Sequence, residues 1–337
     1  MKEPNELEIA RVVAQYRGKY RVLSERGEAW AEVAGKIIFA AKSPLDYPAV
    51  GDLVKITDLG YGNALIEEIL PRKSVLKRKA AGKDDVQPIA ANVDCAFIVQ
   101  AVDRDFNLNR FERYLAIVQS EKIRPVLVLN KIDLLPPEKL AEITAQVKER
   151  FKEVALLTTS VLNGFDSLAR AIEPGQIYCL LGSSGVGKSS LTNKLLGEEL
   201  ITTKEISAQT KKGKHTTTHR ELFVLKNGGM IIDNPGMREI GLADAEEGLK
   251  SVFAEIEALS WSCKFIDCTH QHEPGCAVLA ALKSGSLSEE KYKNYLKLKK
   301  ENDYYAMSSL EKRQRDKNFG KMVKSALKEV KKRKPLT

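Results

Sequence analysis

The chain has 337 residues, 43% of them hydrophobic, enough for two or three domains with ordinary cores. No stretch approaches the roughly 20 apolar residues that span a bilayer. The N-terminal MKEPNELEIARVV lacks the apolar run of a secretory signal, so the expectation is a cytoplasmic chain with no membrane partner, monomeric by default. The net charge of +9 is uneven: residues 281–337 hold 17 Lys/Arg and 7 Asp/Glu, a net of +10, and the remainder nets −1. Such asymmetry suggests a polyanionic partner, most often nucleic acid, although a solvated basic helix has the same composition.

Residues 8–72 read as five short strands, IARVVAQ, KYRVLSE, GKIIFA, DLVKIT and ALIEEIL, separated by Gly, Pro and Asp turns. Five strands in so short a span predict a small barrel over residues 1–75, with an OB-fold leading and an SH3-like barrel close behind. Such barrels bind oligonucleotides. Tyr20 and Phe39 are candidates for base stacking, with core or edge packing as the plainer role. SVLKRKAAGKDDVQP, basic and irregular, reads as a linker.

From residue 92 the rhythm changes. NVDCAFIVQAV, RPVLVLNKID, EVALLTTS, GQIYCLLG, ELFVLK and GMIIDNPG read as strands, with helices between most of them. Strands alternating with helices imply a mostly parallel sheet covered on both faces, here assigned to residues 76–241. Residues 242–337 carry no comparable strand signal and read as helices around a Cys/His cluster, followed by a basic tail.

GSSGVGKS at 182–189 fits the phosphate-loop pattern and has the required context, after a strand and before the helix KSSLTNKLL. Gly182, Gly185 and Gly187 let the backbone curl around phosphate oxygens, with Ser183, Ser184 and Val186 between them. Lys188 can reach the β- and γ-phosphates, Ser189 can ligate Mg²⁺, and Ser190 continues the helix start. This loop alone indicates an NTPase and does not choose the base.

The choice comes from NKID at 130–133. Asp133 accepts hydrogen bonds from the imino and exocyclic amino groups of guanine, donors that adenine lacks on that edge. Lys131 can lie along the base, Ile132 completes the loop, and Asn130 can tie it to the phosphate loop. TTSVLNG, about 25 residues on, ends another strand, and Ser160 there can present a backbone N–H to guanine O6. The base loops precede the phosphate loop, the reverse of the usual order, yet loops at the C-terminal ends of parallel strands converge on one crevice whatever their chain order.

DNPG follows a further strand. Asp233 can hold Mg²⁺ through water, and the Gly236 N–H can sense the γ-phosphate. Met237 stands where many GTPases place a water-orienting Gln. In KKGKHTTTHR, at the position of switch I, Thr217 is favoured over Thr216 and Thr218 as the Mg²⁺ ligand. His215 beside them can accept a hydrogen bond from water and aim it.

Five cysteines are present. Cys95 and Cys179 lie in apolar runs and read as inert core residues. Cys263, Cys268, His270 and Cys276 form C-x4-C-x-H-x5-C, a complete Cys₃His set for structural Zn²⁺ with no open position; His272 is a spare candidate.

The motif order, GKHTTTHRELF, DNPGMREIGL and the Cys/His cluster resemble the bacterial ribosome small subunit-dependent GTPase A, a circularly permuted GTPase family, over nearly the whole chain. The resemblance implies a GTPase of the small ribosomal subunit and its rRNA acting late in maturation, with GTP/GDP, Mg²⁺ and one Zn²⁺. It implies that the subunit stimulates slow intrinsic hydrolysis, that His215 takes part in it, and that His270 rather than His272 is the zinc ligand. Met237 keeps a second reading open, an assembly factor that uses GTP as a switch with little turnover.

Overall fold

The computed structural model describes residues 7–79, 86–103, 106–197, 220–233, 241–242, 244–307 and most of 310–325. Residues His215, Thr216, Thr217, Thr218, Gly236 and Met237 lie outside the described residues.

The N-terminal region is a closed five-stranded barrel. Strands β1 (Glu8–Gln15), β2 (Tyr20–Ser24), β3 (Gly27–Val33), β4 (Leu53–Gly60) and β5 (Asn63–Ile69) run in the order β1-β2-β3-β5-β4, and β4 pairs back onto β1. The β3–β5 pair is parallel and its neighbours antiparallel, the closed Greek-key arrangement of an OB-type barrel. Alternation sends Val12, Val22, Ala31, Val54, Ile56 and Ile66 inward.

Two sequence expectations are corrected here. GKIIFA is a helix, α1 (Gly35–Ala40), and the third strand is GEAWAEV. The apolar run of GKIIFA suggested a strand, but none of its residues is buried. The alanines and Trp30 of β3 pair on both sides, with β2 and β5; tertiary pairing overrides a weak local signal. The basic segment read as a linker contains a hairpin, β6 (Val75–Lys79) with β7 (Val86–Ala91), whose Leu76, Ile89, Ala90 and Ala91 are buried. Gly51 permits this hairpin to approach the barrel: its φ is +97° and a Cβ there would lie 2.1 Å from the Ala91 carbonyl oxygen.

The central sheet contains β8 (Cys95–Ala101), β9 (Arg124–Asn130), β10 (Ala155–Thr159), β11 (Ile177–Leu181), β12 (Arg220–Val224) and β13 (Met230–Asp233), in the order β10-β9-β8-β11-β13-β12. All pairs are parallel except β12–β13. Helices α2 (Leu108–Ser120), α3 (Pro137–Arg150), α4 (Asp166–Arg170) and α5 (Lys188–Leu196) connect the strands. A chain that began at β11 and joined β13 to β8 would place the phosphate loop first and leave the same sheet. Cys95 and Cys179 are fully buried, and burial pushes the Cys95 thiol up to about 11.

Barrel and central sheet form one eleven-stranded sheet. β1 pairs antiparallel with β12, Ala14 opposite Glu221 and Gln15 opposite Arg220. On the other side, α6 (Glu246–Val252), α7 (Ala254–Ser260), α8 (Ala277–Ser284) and α9 (Glu289–Ala306) form a helical lobe that packs on α2. Gly248 of α6 sits directly on α2, where a Cβ would lie 1.8 Å from the Ala116 carbonyl oxygen. Arg113 of α2 makes a two-pronged pair with Glu301 of α9 at 2.5 and 2.7 Å. Glu112, 1% exposed, is satisfied by Arg150 at 2.9 Å and by Asn294 of α9. No helix among the described residues is long and apolar enough to cross a membrane.

Candidate functional site

The C-terminal ends of the parallel strands deliver their loops to one edge of the sheet. β9 ends at Asn130, β10 leads to Ser160, β11 leads into Gly182–Gly187, and β13 ends at Asp233. Residues spread over a hundred positions of sequence therefore share one crevice, as the strand order predicts.

Two glycines of the phosphate loop are required by close approach. Gly182 has φ +151°, and a Cβ there would lie 2.2 Å from the Val99 carbonyl oxygen of β8. Gly187 has φ +96°, and a Cβ would lie 2.4 Å from Asn130 Nδ2. That second gap lets Asn130, fully buried, donate from Nδ2 to the Val186 carbonyl at 2.7 Å. The base loop and the phosphate loop are thus tied by one side chain. The Lys188 ammonium donates to the carbonyls of Gly182 and Ser183 at 2.8 and 2.7 Å, which holds its charge over the loop. Ser183 and Ser184 lie in the loop, and Ser189 and Ser190 follow Lys188 in the first turn of α5. The open N–H groups and positive dipole end of that helix suit phosphate.

At the other end, Lys131 adopts the left-handed conformation, φ 61°, and Ile132, Asp133 and Leu134 form a 3₁₀ turn. The Lys131 ammonium pairs with Asp103, beyond the end of β8, at 3.6 Å. The Ser160 hydroxyl donates to Asp133 Oδ1 and accepts from the Leu162 N–H at 3.0 Å. Ser160 is 1% exposed whereas Asp133 is exposed, so the second base loop orients a carboxylate that stays open to a ligand. Asp233 ends β13 opposite Glu221 of β12.

Sequence reasoning missed Tyr114 of α2, which hydrogen-bonds Ser183 of the phosphate loop. Burial pushes its phenol pKa up. Helical spacing alone does not reveal a partner some seventy positions away. Tyr20, offered for base stacking, is 5% exposed within the barrel core, which corrects that assignment. Phe39 on α1 is 95% exposed.

The Cys/His cluster is assembled in the helical lobe. Ligand atoms of Cys263, Cys268, His270 and Cys276 lie within 4.8 Å of one another. His270 Nδ1 is 3.6 Å from the sulfurs of both Cys263 and Cys276, and those sulfurs are 3.8 Å apart. Zn–S bonds of about 2.3 Å and Zn–N bonds of about 2.0 Å at tetrahedral angles place ligand atoms roughly 3.5–3.8 Å apart, so the donor set and its spacing fit Zn²⁺. Burial pushes the Cys263 thiol up, but N–H groups of Ala277 and Val278 at the start of α8 outweigh it and hold its pKa below the usual value. Glu273 folds the loop by accepting from the N–H groups of Thr269, Gln271 and His272. Tyr292 of α9 donates to the His270 carbonyl at 2.5 Å. His272 is exposed and outside the cluster.

Comparison with known proteins agrees with this geometry. The family model described as RsgA GTPase matches residues 69–243. A small ribosomal subunit biogenesis GTPase, RsgA 2 of Lactiplantibacillus plantarum, is 42% identical over 96% of this chain and 92% of its own length. RsgA of Methanosarcina acetivorans is 44% identical over 87% of this chain and 82% of its own. The crystal structure of YjeQ from Thermotoga maritima is similar with a TM-score of 0.63 and 28% identity, covering 87% of this chain and 97% of that one. The crystal structure of YloQ, a circularly permuted GTPase, shares the fold with a TM-score of 0.65, covering 90% of this chain and 97% of that one. The chain belongs to the RsgA GTPase family.

Proposed function

We propose that this protein binds the small ribosomal subunit through its rRNA and hydrolyses GTP during the subunit's late maturation. The observation that carries the nucleotide reading is the Asn130 bridge: one buried amide joins the loop bearing Asp133 to the loop bearing Lys188. A guanine sensor and a phosphate cradle are thereby held at a fixed separation. Asp133, oriented by Ser160, accepts from guanine, and Lys131 lies along the base. The loop N–H groups and Lys188 take the phosphates. Ser189 and Thr217 would hold Mg²⁺, with Asp233 in support, and the ion would supply neutralisation of phosphate charge. Gly236 senses the γ-phosphate, and His215 aims the attacking water in place of the side chain that Met237 cannot provide. Cys263, Cys268, His270 and Cys276 hold one structural Zn²⁺. We assign residues 1–75 to the barrel, 76–241 to the GTPase and 242–337 to the zinc lobe with its basic tail, whose lysines can neutralise rRNA phosphates. The names of the RsgA relatives support the ribosomal partner.

Two measurements test this reading. Replacing Asp133 with Ala removes the guanine acceptor, and the preference for GDP over ADP falls by at least about 100-fold; unchanged preference defeats the base assignment. Phosphate release with purified small subunits should rise in the native protein and fall by about 10²–10⁴-fold in His215→Ala with GDP affinity kept. Zero release from the native protein, with and without subunits, would establish the non-hydrolysing switch instead.

A further inference from the structure

A second cationic site lies where the barrel meets the central sheet. A cavity of about 470 Å³ opens there, lined by Gln15, Tyr20, Lys42, Ser43, Gln87 and Arg220 together with Ala41, Pro44, Tyr47 and Pro88. Its walls come from β1, β2, the segment after α1, β7 and the first residue of β12. No carboxylate is among them. Arg220 is half-buried and, among the described residues, donates to neutral acceptors, Gln15 Oε1 at 3.2 Å and the Pro88 carbonyl at 2.9 Å. The charge that acts on it is a second guanidinium, Arg78 of β6, whose strand partner is Gln87. Arg78 Nε is itself buried without a hydrogen-bond partner among the described residues. Burial first, and Arg78 second, push the Arg220 pKa down to about 10.

A half-buried guanidinium in the wall of a polar cavity, repelled by the nearby Arg78 and with the exposed Lys42 ammonium at the cavity's rim, is a costly arrangement unless an anion offsets it. The nearest acid on the same segment, Asp46, is already occupied by the N–H groups of Lys42 and Ser43 at 2.8 and 2.9 Å. Arg72, on the far side of Tyr47, is committed to Asp52. A planar guanidinium matches phosphate with two parallel N–H bonds, and Gln87 adds a neutral donor. We infer that this cavity is an anion site for a phosphate group, held by Arg220 and Lys42, separate from the phosphate loop. The phosphate is either free or part of an RNA backbone. The inference needs nothing from the nucleotide reading except that GDP fills the phosphate loop during the test.

The full-length protein, saturated with GDP and Mg²⁺, is titrated with inorganic phosphate against chloride at matched ionic strength, and its melting temperature is followed. Saturable stabilisation of a few degrees is expected, as for any ligand that binds only the folded state. Arg220→Gln and the rim variant Lys42→Ala should each lose more than half of that shift. Gln87→Glu should melt higher than the native protein without phosphate and no longer respond, because it places a carboxylate in the cavity wall that Arg220 shares. Binding of a fluorescent eight-nucleotide uridine RNA to the same GDP-loaded proteins separates the sources. A loss of about fivefold or more in the variants, with phosphate competing, identifies the RNA backbone. Lost phosphate response with unchanged RNA affinity identifies free phosphate. Equal phosphate shifts in the native protein and all three variants, or no shift in the native protein, overturn the proposal.

Discussion

The barrel and the helical lobe are fastened to the same central sheet by different means. The barrel is joined by main chain: β1 pairs with β12, and the sheet runs on without a break. The lobe is joined by side chains, mainly on α2: Leu249, Phe253 and Ile256 share a buried apolar cluster with Phe111 and Leu115, and Arg113, Glu112 and the close contact of Gly248 with Ala116 add to it. A ladder resists sliding, because a shift of one residue inverts every side chain of the strand. A lobe docked by side chains alone has no main-chain register to keep and can re-dock as a rigid unit. α2 also touches the phosphate loop through Tyr114, so the side-chain joint is the one placed to report on nucleotide, and the ladder is the one placed to hold a platform still.

The difference can be broken from either side. The largest effect is expected from metal removal. Zn²⁺ binding to small Cys/His sites is worth about 10–16 kcal/mol at neutral pH. Chelation, or Cys268→Ser, should therefore unfold the lobe, seen as rapid proteolysis within residues 244–307, while GDP affinity survives. Loss of both together would show that the lobe and the GTPase fold as one unit. The next effect lies in the barrel. Asp52 is fully buried and held by Arg72 through two bonds of 2.8 and 2.7 Å. Arg72→Ala strands that carboxylate and should cost about 3–5 kcal/mol in urea unfolding; a cost under about 1 kcal/mol would mean that water replaces the guanidinium. The smallest effect tests the joint itself. Gly248→Ala forces α6 from α2 and should cost about 1–3 kcal/mol of stability, with faster cleavage near residues 241–245 and unchanged GDP affinity.

The nucleotide crevice was legible because its chemistry is local. Gly182–Ser189 carries its strand, turn and helix signals in one run, and Asn130–Asp133 ends an apolar strand that no other element imitates. The Cys₃His set was legible because four ligands fall within fourteen residues. The barrel was read with the right number of strands for a partly wrong reason, since GKIIFA replaced GEAWAEV. An exposed two-turn helix with two isoleucines and a phenylalanine looks like a strand, and a strand whose inward face is alanine looks like a helix. The hairpin β6–β7 was hidden by the basic run Lys77–Lys79, which leaves its apolar residues inside a charged, irregular stretch of sequence. Gly248 and Tyr114 were invisible for another reason: each matters through a contact with a residue more than sixty positions away, and single-sequence periodicity reports only which face is turned inward.

The β1–β12 ladder also fixes an order of events during synthesis. The barrel can close once β5 has left the ribosome at Ile69, but the partner of β1 in the central sheet begins at Arg220. For about 150 residues of translation, one stretch of β1 is an unpaired strand edge at the rim of a finished barrel. A free edge of that kind is a template for pairing with other chains. The newborn protein is therefore most prone to misassociation while its nucleotide-binding loops are still emerging, and that exposure ends when β12 is delivered to the rim.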